Sequence, residues 1–384
     1  MPTTVVDATA AASLPAASAY GRIHNFTAGP AVLPLSVVEE VRDALPNLHG
    51  SGVGLLEISH RSKTFQAVVD SAVARVRRVL SVPDDYQVVF LQGGASLQFY
   101  MTALNFLVPN ADGSKGAADY LVTGTWSQKA VKEASRVGDA KAIWDDAPNN
   151  FKRVPLNGEY AVRPEAQYLH YTSNNTIYGT MYHHHPDSAG KPLIADLSSN
   201  IAGVPVNIAG HAMIYAGAQK NLGPSGVVLA ILSPWAVARI PKGLPAMLDY
   251  NVQIKDGSLY NTPNCFGIFV LERVFAWLEA NGGLDGAIAR NTAKSDALYG
   301  ELDRTKFWAP HAVKEARSCM NVTWRLPSED LEEKFAKEAK SAGFEGLKGH
   351  RSVGGIRASL YNALPLGSVN ALIGFMQEFE RKNG

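Results

Sequence analysis

Two rhythms of apolar residues take turns along this chain. Apolar-rich runs of strand length appear at Tyr86–Leu91 (YQVVFL), Tyr120–Thr123, Tyr168–Tyr178, Pro192–Asn200 (PLIADLSSN) and Gly226–Leu232 (GVVLAIL). Such runs predict buried strands. Between them, apolar positions recur every three or four residues and predict helices: one opened by Pro34 (LSVVEEVRDAL), one over Thr64–Leu80, and others after Gly93 and after Trp126. The alternation predicts an α/β fold, a large domain whose mainly parallel central sheet is flanked by helices.

The pattern changes where the glycines of NGGL break the chain, near Asn281–Leu284. A helix over Ile268–Glu279 precedes the break. A helix over Leu284–Leu302, a strand from Met320 and a helix over Leu331–Gly343 follow it and predict a smaller C-terminal α+β domain. The expected division is a tail over 1–22, an N-terminal arm over 23–38 packing with the small domain, a large domain over 39–281 and a small domain over 282–384. The tail is rich in Ala, Ser and Thr, and a disordered segment or a targeting segment would both fit it.

In a parallel sheet, ligands sit outside the carboxyl ends of the strands, and here four strands end on polar tips. After Leu91 come Gly93, Gly94, Ala95 and Ser96, a glycine turn opening a helix, where free N–H groups and the helix dipole can cradle a phosphate. Trp126 follows the next strand and offers a ring for stacking on a flat group. Thr176 and Asp196 stand at two further tips. Lys220 lies among small residues in IYAGAQKNLGPSG, where a desolvated amine loses its proton readily and can form a Schiff base with an aldehyde. Each residue has an ordinary explanation alone: a βα turn, a core tryptophan, a surface lysine. Occurring in this order, they point to pyridoxal 5'-phosphate, with the carboxylate on the pyridine nitrogen and the lysine on the aldehyde.

Three arginines extend the site. Arg351 and Arg357 stand with His350 among the glycines of GLKGHRSVGGIRASLYNAL, and Arg61 closes LLEISHRS. Guanidinium forks bind carboxylate and phosphate, so these groups could hold a substrate bearing both, whereas Arg61 could equally pair with Glu57 or Asp70.

Composition narrows the classes. A formal net charge of +1, with 18% charged residues and no long run of one sign, gives no reason to expect nucleic acid, and nothing approaches a membrane span. Cys265 and Cys319 are too few for a disulfide framework and fit a reducing compartment, so a cytoplasmic protein is expected. His183, His184 and His185 invite a metal reading. Consecutive strand residues point to opposite faces, however, and no close carboxylate joins them, so an exposed hairpin without metal is expected.

With these residues assembled, the chain resembles the phosphoserine aminotransferase family, fold type I pyridoxal-phosphate enzymes, from about Asn25 to Gly384. The resemblance rests on NFTAGPAVLP, EISHRSKTF, GGASLQF, ADYLVTGTWS, SNNTIYG, ADLSSN, YAGAQKNLGPSG, YNTPNCF and GLKGHRSVGGIRASLYNA. It implies that Lys220 carries the cofactor aldehyde, Asp196 pairs with the ring nitrogen, Trp126 stacks on the ring and Thr176 hydrogen-bonds its polar edge. Ala95, Ser96 and Gln219 would hold the cofactor phosphate, joined by Asn261 and Thr262 from the other subunit of a homodimer with shared active sites. Arg61, His350, Arg351 and Arg357 would hold the substrate. The implied reaction converts L-glutamate and 3-phosphohydroxypyruvate to 2-oxoglutarate and O-phospho-L-serine, with 4-phosphohydroxy-L-threonine left open as a further substrate. Some family members carry arginine where Ser96 stands. A cysteine desulfurase, an alanine-glyoxylate aminotransferase and a noncatalytic binding protein of the same fold are the competing readings.

Overall fold

The computed structural model describes residues 20–351 and 353–384, so the expected tail lies outside the described residues as far as position 19. An N-terminal arm carries β1 (His24–Asn25) and α1 (Leu35–Ala44) before the long helix α2 (Lys63–Leu80). Ser62 starts α2 by accepting the amide of Phe65, and Ser81 ends it in the left-handed conformation. Strands and helices then alternate through β2 (Gln87–Leu91), α3 (Gly94–Phe106), β3 (Ala117–Val122), α4 (Thr125–Ala134), β4 (Asp139–Asp145) and β5 (Ala166–Thr172). The hairpin β6 (Asn174–Asn175) and β7 (Thr180–Met181) precedes β8 (Leu193–Asp196), β9 (Met213–Gly217) and β10 (Val228–Leu232).

Seven strands form the central sheet in the order β2-β10-β9-β8-β5-β3-β4. Neighbours run parallel except β10, which lies antiparallel between β2 and β9. Connection length accounts for the exception. Only the ten residues Ala218–Val227 join β9 to β10, too few for a parallel crossover, which needs about a dozen or more. Lys220 sits in that tight link, where Leu222 and Gly223 both donate to Ala218 O and close a single helical turn.

The structure trims one predicted strand and adds another. Tyr168–Tyr178 stays extended only to Thr172, after which Gly179 N donates to Asn175 O and turns the chain into the β6–β7 hairpin. The edge strand β4 has no apolar run to announce it, because its residues are half-buried or exposed.

After α5 (Pro234–Arg239), α6 (Tyr250–Lys255) and α7 (Cys265–Ala280), the chain continues as α8 (Gly283–Leu302), β11 (Ala309–Pro310), β12 (Asn321–Arg325) and α9 (Glu329–Ser341). It ends with β13 (Phe344–Glu345), β14 (Ile356–Ser359) and α10 (Leu366–Asn383). Separate apolar layers cover the two faces of the central sheet, one including Val68, Leu169, Ile214 and Phe275, the other Phe99, Tyr168, Ile194 and Met213. A third core gathers Trp324, Phe335 and Phe379 with Phe26 of the arm. Burying each such aromatic or aliphatic side chain stabilises by about 1.5–3 kcal/mol. Helix α8 spans two cores, with Ala287 in the sheet's core and Leu298 and Leu302 in the third. Strand β1 pairs in parallel with β13, which ties the arm to the C-terminal part.

Candidate active site

Parallel register delivers the first components. Asp196 ends β8, in register with Thr172 of β5 on one side and Tyr215 of β9 on the other. These side chains share the sheet face that carries Trp126. Asp196 is 4% exposed, and its Oδ1 accepts the Ser198 amide at 2.9 Å. Ser198 Oγ accepts Gly217 N at 3.0 Å, so the ends of β8 and β9 are held together. Burial raises the Asp196 pKa, while the Lys220 charge and the Ser198 donors oppose the rise.

Lys220 is its counterpart. The residue is partly accessible, yet its ammonium is surrounded by protein, and desolvation brings its pKa down to about 8, with Asp196 pulling upward and the Arg357 charge pushing further down. A lysine so placed has an appreciable free-amine fraction near neutral pH, as Schiff-base chemistry requires.

Around this pair stand groups for a flat, phosphorylated ring. Lys220 Nζ lies 5.9 Å from the centroid of the Trp126 ring. Trp126 Nε1 donates to Thr176 Oγ1 at 3.0 Å, and Thr176 O accepts from the Arg357 guanidinium at 3.3 Å. At the start of α3, Gly93 and Gly94 are both left-handed, and the first-turn amides, including those of Ala95 and Ser96, have no intrahelical acceptor. Gln219 adjoins Lys220, and its carbonyl accepts Ala31 N at 2.9 Å.

This donor set fits pyridoxal phosphate. A buried carboxylate suits a protonated pyridine, a depressed lysine suits an aldehyde, and open amides at a helix start suit a phosphate. Thr172 Oγ1 adds a further sign: it is buried in register with Asp196 and has no hydrogen-bond partner among the described residues, as a polar atom left for a bound group would.

The arm contributes what the sequence reading did not anticipate. A Cβ on Gly29 would meet Lys220 Cγ at 3.3 Å, so NFTAGP passes directly over the lysine, and Tyr361 OH donates to Ala28 O at 3.0 Å. The glycine beside Pro30 was the one available signal, and it reads equally as a plain turn.

A polar hub ties down β14, the strand that carries Arg357. Asn174 Nδ2 donates to Ser199 Oγ at 2.7 Å and to Asn321 Oδ1 at 2.8 Å, and Asn321 Nδ2 reaches Ser359 Oγ at 3.0 Å. The loop after β5 is thereby bonded to β12 and β14. Arg357 Nε is buried without a partner among the described residues. His350 has its pKa lowered first by burial and then by the charges of Arg357, Arg351 and Lys129.

Lys220, Asp196, Trp126, Thr176 and Arg357 are thus linked by contacts or mutual charge, and His350 and Arg351 act on Arg357's side of the group. Among the described residues, Arg61, Asn261 and Thr262, like Ala95 and Ser96, make no hydrogen bond or ion pair with this group within one chain. Arg61 is exposed, its amide donating to Ser59 Oγ at 3.2 Å, while Asn261 Nδ2 donates only to the carbonyl of Thr262. Neither cysteine is activated as a nucleophile: burial raises the Cys265 pKa and pushes Cys319 up to about 11. No group of three or more His, Cys, Asp or Glu among the described residues is arranged to hold a metal ion.

Comparison with known proteins agrees with this geometry. A family model described as aminotransferase class-V matches residues 23–372. The chain is 47% identical to a phosphoserine aminotransferase of Desulfatibacillum aliphaticivorans, covering 94% of this chain and 99% of the relative. Among solved structures it is similar to phosphoserine aminotransferase from Bacillus circulans subsp. alkalophilus, with TM-score 0.91, 44% identity and coverage of 94% and 99% of the two chains. It is also similar to the PLP-bound phosphoserine aminotransferase of Trichomonas vaginalis, with TM-score 0.87, 35% identity and coverage of 93% and 100%.

Proposed function

The chain belongs to the class-V aminotransferases, and with that family as premise we propose that it transfers an amino group from L-glutamate to 3-phosphohydroxypyruvate, giving O-phospho-L-serine and 2-oxoglutarate. Its cofactor is pyridoxal 5'-phosphate. The observation that carries the reading is Lys220, its amine depressed to about 8, beside buried Asp196 and within the field of Arg357.

Bound pyridoxal phosphate supplies an aldehyde that takes up the amino group and a ring that draws off electrons. The residues of this chain do the rest. Asp196 keeps a negative charge at the ring nitrogen and so favours its protonated form. Lys220 Nζ accepts the proton leaving the substrate's Cα and gives it up again, a task suited to an amine that titrates near working pH. Trp126 and Thr176 orient the ring, and Ala95, Ser96 and Gln219 hold its phosphate. Asn261 and Thr262 of the partner subunit complete that phosphate site in a homodimer. Arg61, His350, Arg351 and Arg357 take the carboxylate and phosphate of the substrate. A cytoplasmic place of action fits two free cysteines.

The test adds O-phospho-L-serine, L-serine or L-alanine to the purified holoprotein and follows the cofactor's absorbance from aldehyde to amine form. Conversion by O-phospho-L-serine at far lower concentration is expected. Conversion by L-alanine alone would move the activity to another aminotransferase.

A further inference from the structure

Lys129 has no part in the roles assigned so far. It lies on α4 three residues beyond Trp126, is exposed, and holds its Nζ 4.7 Å from the centroid of the Trp126 ring. No ion pair among the described residues uses it. The carboxylate one helical turn onward, Glu133, is taken instead by Arg136 Nε at 3.0 Å.

The packing brings this lysine to the substrate side of the site. Val353 of the segment carrying His350 and Arg351, and Trp126 and Val131 of α4, pack against one apolar cluster of Val122, Phe151, Ile177 and Tyr178. Val353 N donates to His350 O at 2.9 Å and closes the turn. Trp126 leads to Thr176, and Thr176 O to Arg357, by the hydrogen bonds described above. After burial, the charges of Arg357, Arg351 and Lys129 lower the His350 pKa, so three cations act on one imidazole. Like charges gathered in one place repel one another, and an arriving anion relieves the repulsion. Arg357 is the half-buried member, bonded beside the ring-binding residues; Lys129 and Arg351 are exposed at the outer rim. An anion at the rim is therefore the substrate's distal group, the end farthest from the reacting carbon.

We propose that Lys129 is a further specificity-determining residue, whose ammonium, with His350 and Arg351, receives the distal phosphate of O-phospho-L-serine and 3-phosphohydroxypyruvate. The proposal rests on the functional reading above. A phosphate monoester carries about −1.5 to −2 charges at neutral pH, against one for the distal carboxylate of glutamate, so the lysine favours the phosphorylated substrate over glutamate.

The experiment compares the holoenzyme with its Lys129→Gln and Lys129→Arg variants in each half-reaction. For Lys129→Gln, kcat/KM for O-phospho-L-serine should fall about five- to tenfold, the size of one partly screened charge contact, and the fall for L-glutamate should be clearly smaller. Lys129→Arg should restore most of the loss. The difference should vanish in about 1 M salt, where charges are screened within ~3 Å. Equal losses for both substrates would mean that Lys129 acts by supporting Trp126, and would overturn the proposal, as would no loss for either. A wild-type enzyme with no preference for O-phospho-L-serine would overturn the functional reading and this proposal together. A wild type with that preference, undiminished in Lys129→Gln, would overturn the proposal alone.

Discussion

Replacing Trp126 by Phe keeps a ring for stacking and deletes one N–H. An indole N–H is a donor only, so Thr176 Oγ1 must be the acceptor in their 3.0 Å bond. The hydroxyl's own proton is then directed away from Trp126 and is free to donate to the polar edge of the cofactor ring. Thr176 is 3% exposed, so water does not readily replace the lost donor. A net hydrogen bond is worth about 1 kcal/mol, and an unsatisfied buried group costs about 1–3 kcal/mol. The binding of pyridoxamine 5'-phosphate, which forms no covalent link to Lys220, should therefore weaken by about five- to tenfold beyond any loss of stacking. Titration of the apoprotein by absorbance or calorimetry measures this directly. Stacking is removed from the comparison by a double-mutant cycle with Thr176→Val, in which the two effects should couple by about 1 kcal/mol. Additivity to within ~0.3 kcal/mol would refute the claim that the indole sets the direction of the Thr176 proton.

Two further outcomes follow from the same geometry. Desolvation sets the Lys220 pKa near 8 rather than at its ordinary value, and only the free amine attacks an aldehyde, so capture of pyridoxal phosphate by the apoprotein should rise with pH. The rate should climb about tenfold per unit below pH 8 and level off above it, and a climb continuing past pH 10 would contradict the desolvated environment. Asn174, 1% exposed, donates to Ser199 and Asn321 and accepts from Ser318 Oγ at 2.5 Å. Asn174→Ala should cost about 2–3 kcal/mol in urea unfolding and should loosen the strands that hold Arg357, raising KM; a loss below ~0.5 kcal/mol would show that the hub is dispensable.

The α/β class, the run of strands and helices and the ends of most elements were legible before any coordinates. Burial on both faces writes itself into a strand as a continuous apolar run, and one-sided burial writes itself into a helix as a three-to-four-residue period. These are local records, and α2 and β2 show them plainly. The candidacy of Lys220 and Asp196 was legible for a related reason. A lysine among small residues and an acid at the end of an apolar run are locally unusual, and the motifs around them are specific.

Other features had no local record. The edge strand β4 is too exposed to carry an apolar run. That β10 enters the sheet antiparallel depends on the ten-residue link that carries Lys220, and its position between β2 and β9 depends on strands far apart in sequence. Gly29 lies against a lysine 191 positions later, and Asn174 bonds to Asn321 across 147 positions. Residues with no local signal meet only through packing, as Lys129 Nζ meets the Trp126 ring and its charge reaches His350. Sequence alone therefore determined which elements form and which side chains can do chemistry, since both follow from residue type and local spacing. Tertiary structure decided which of those side chains meet, and how burial tunes them, because desolvation and charge depend on neighbours supplied by distant parts of the chain.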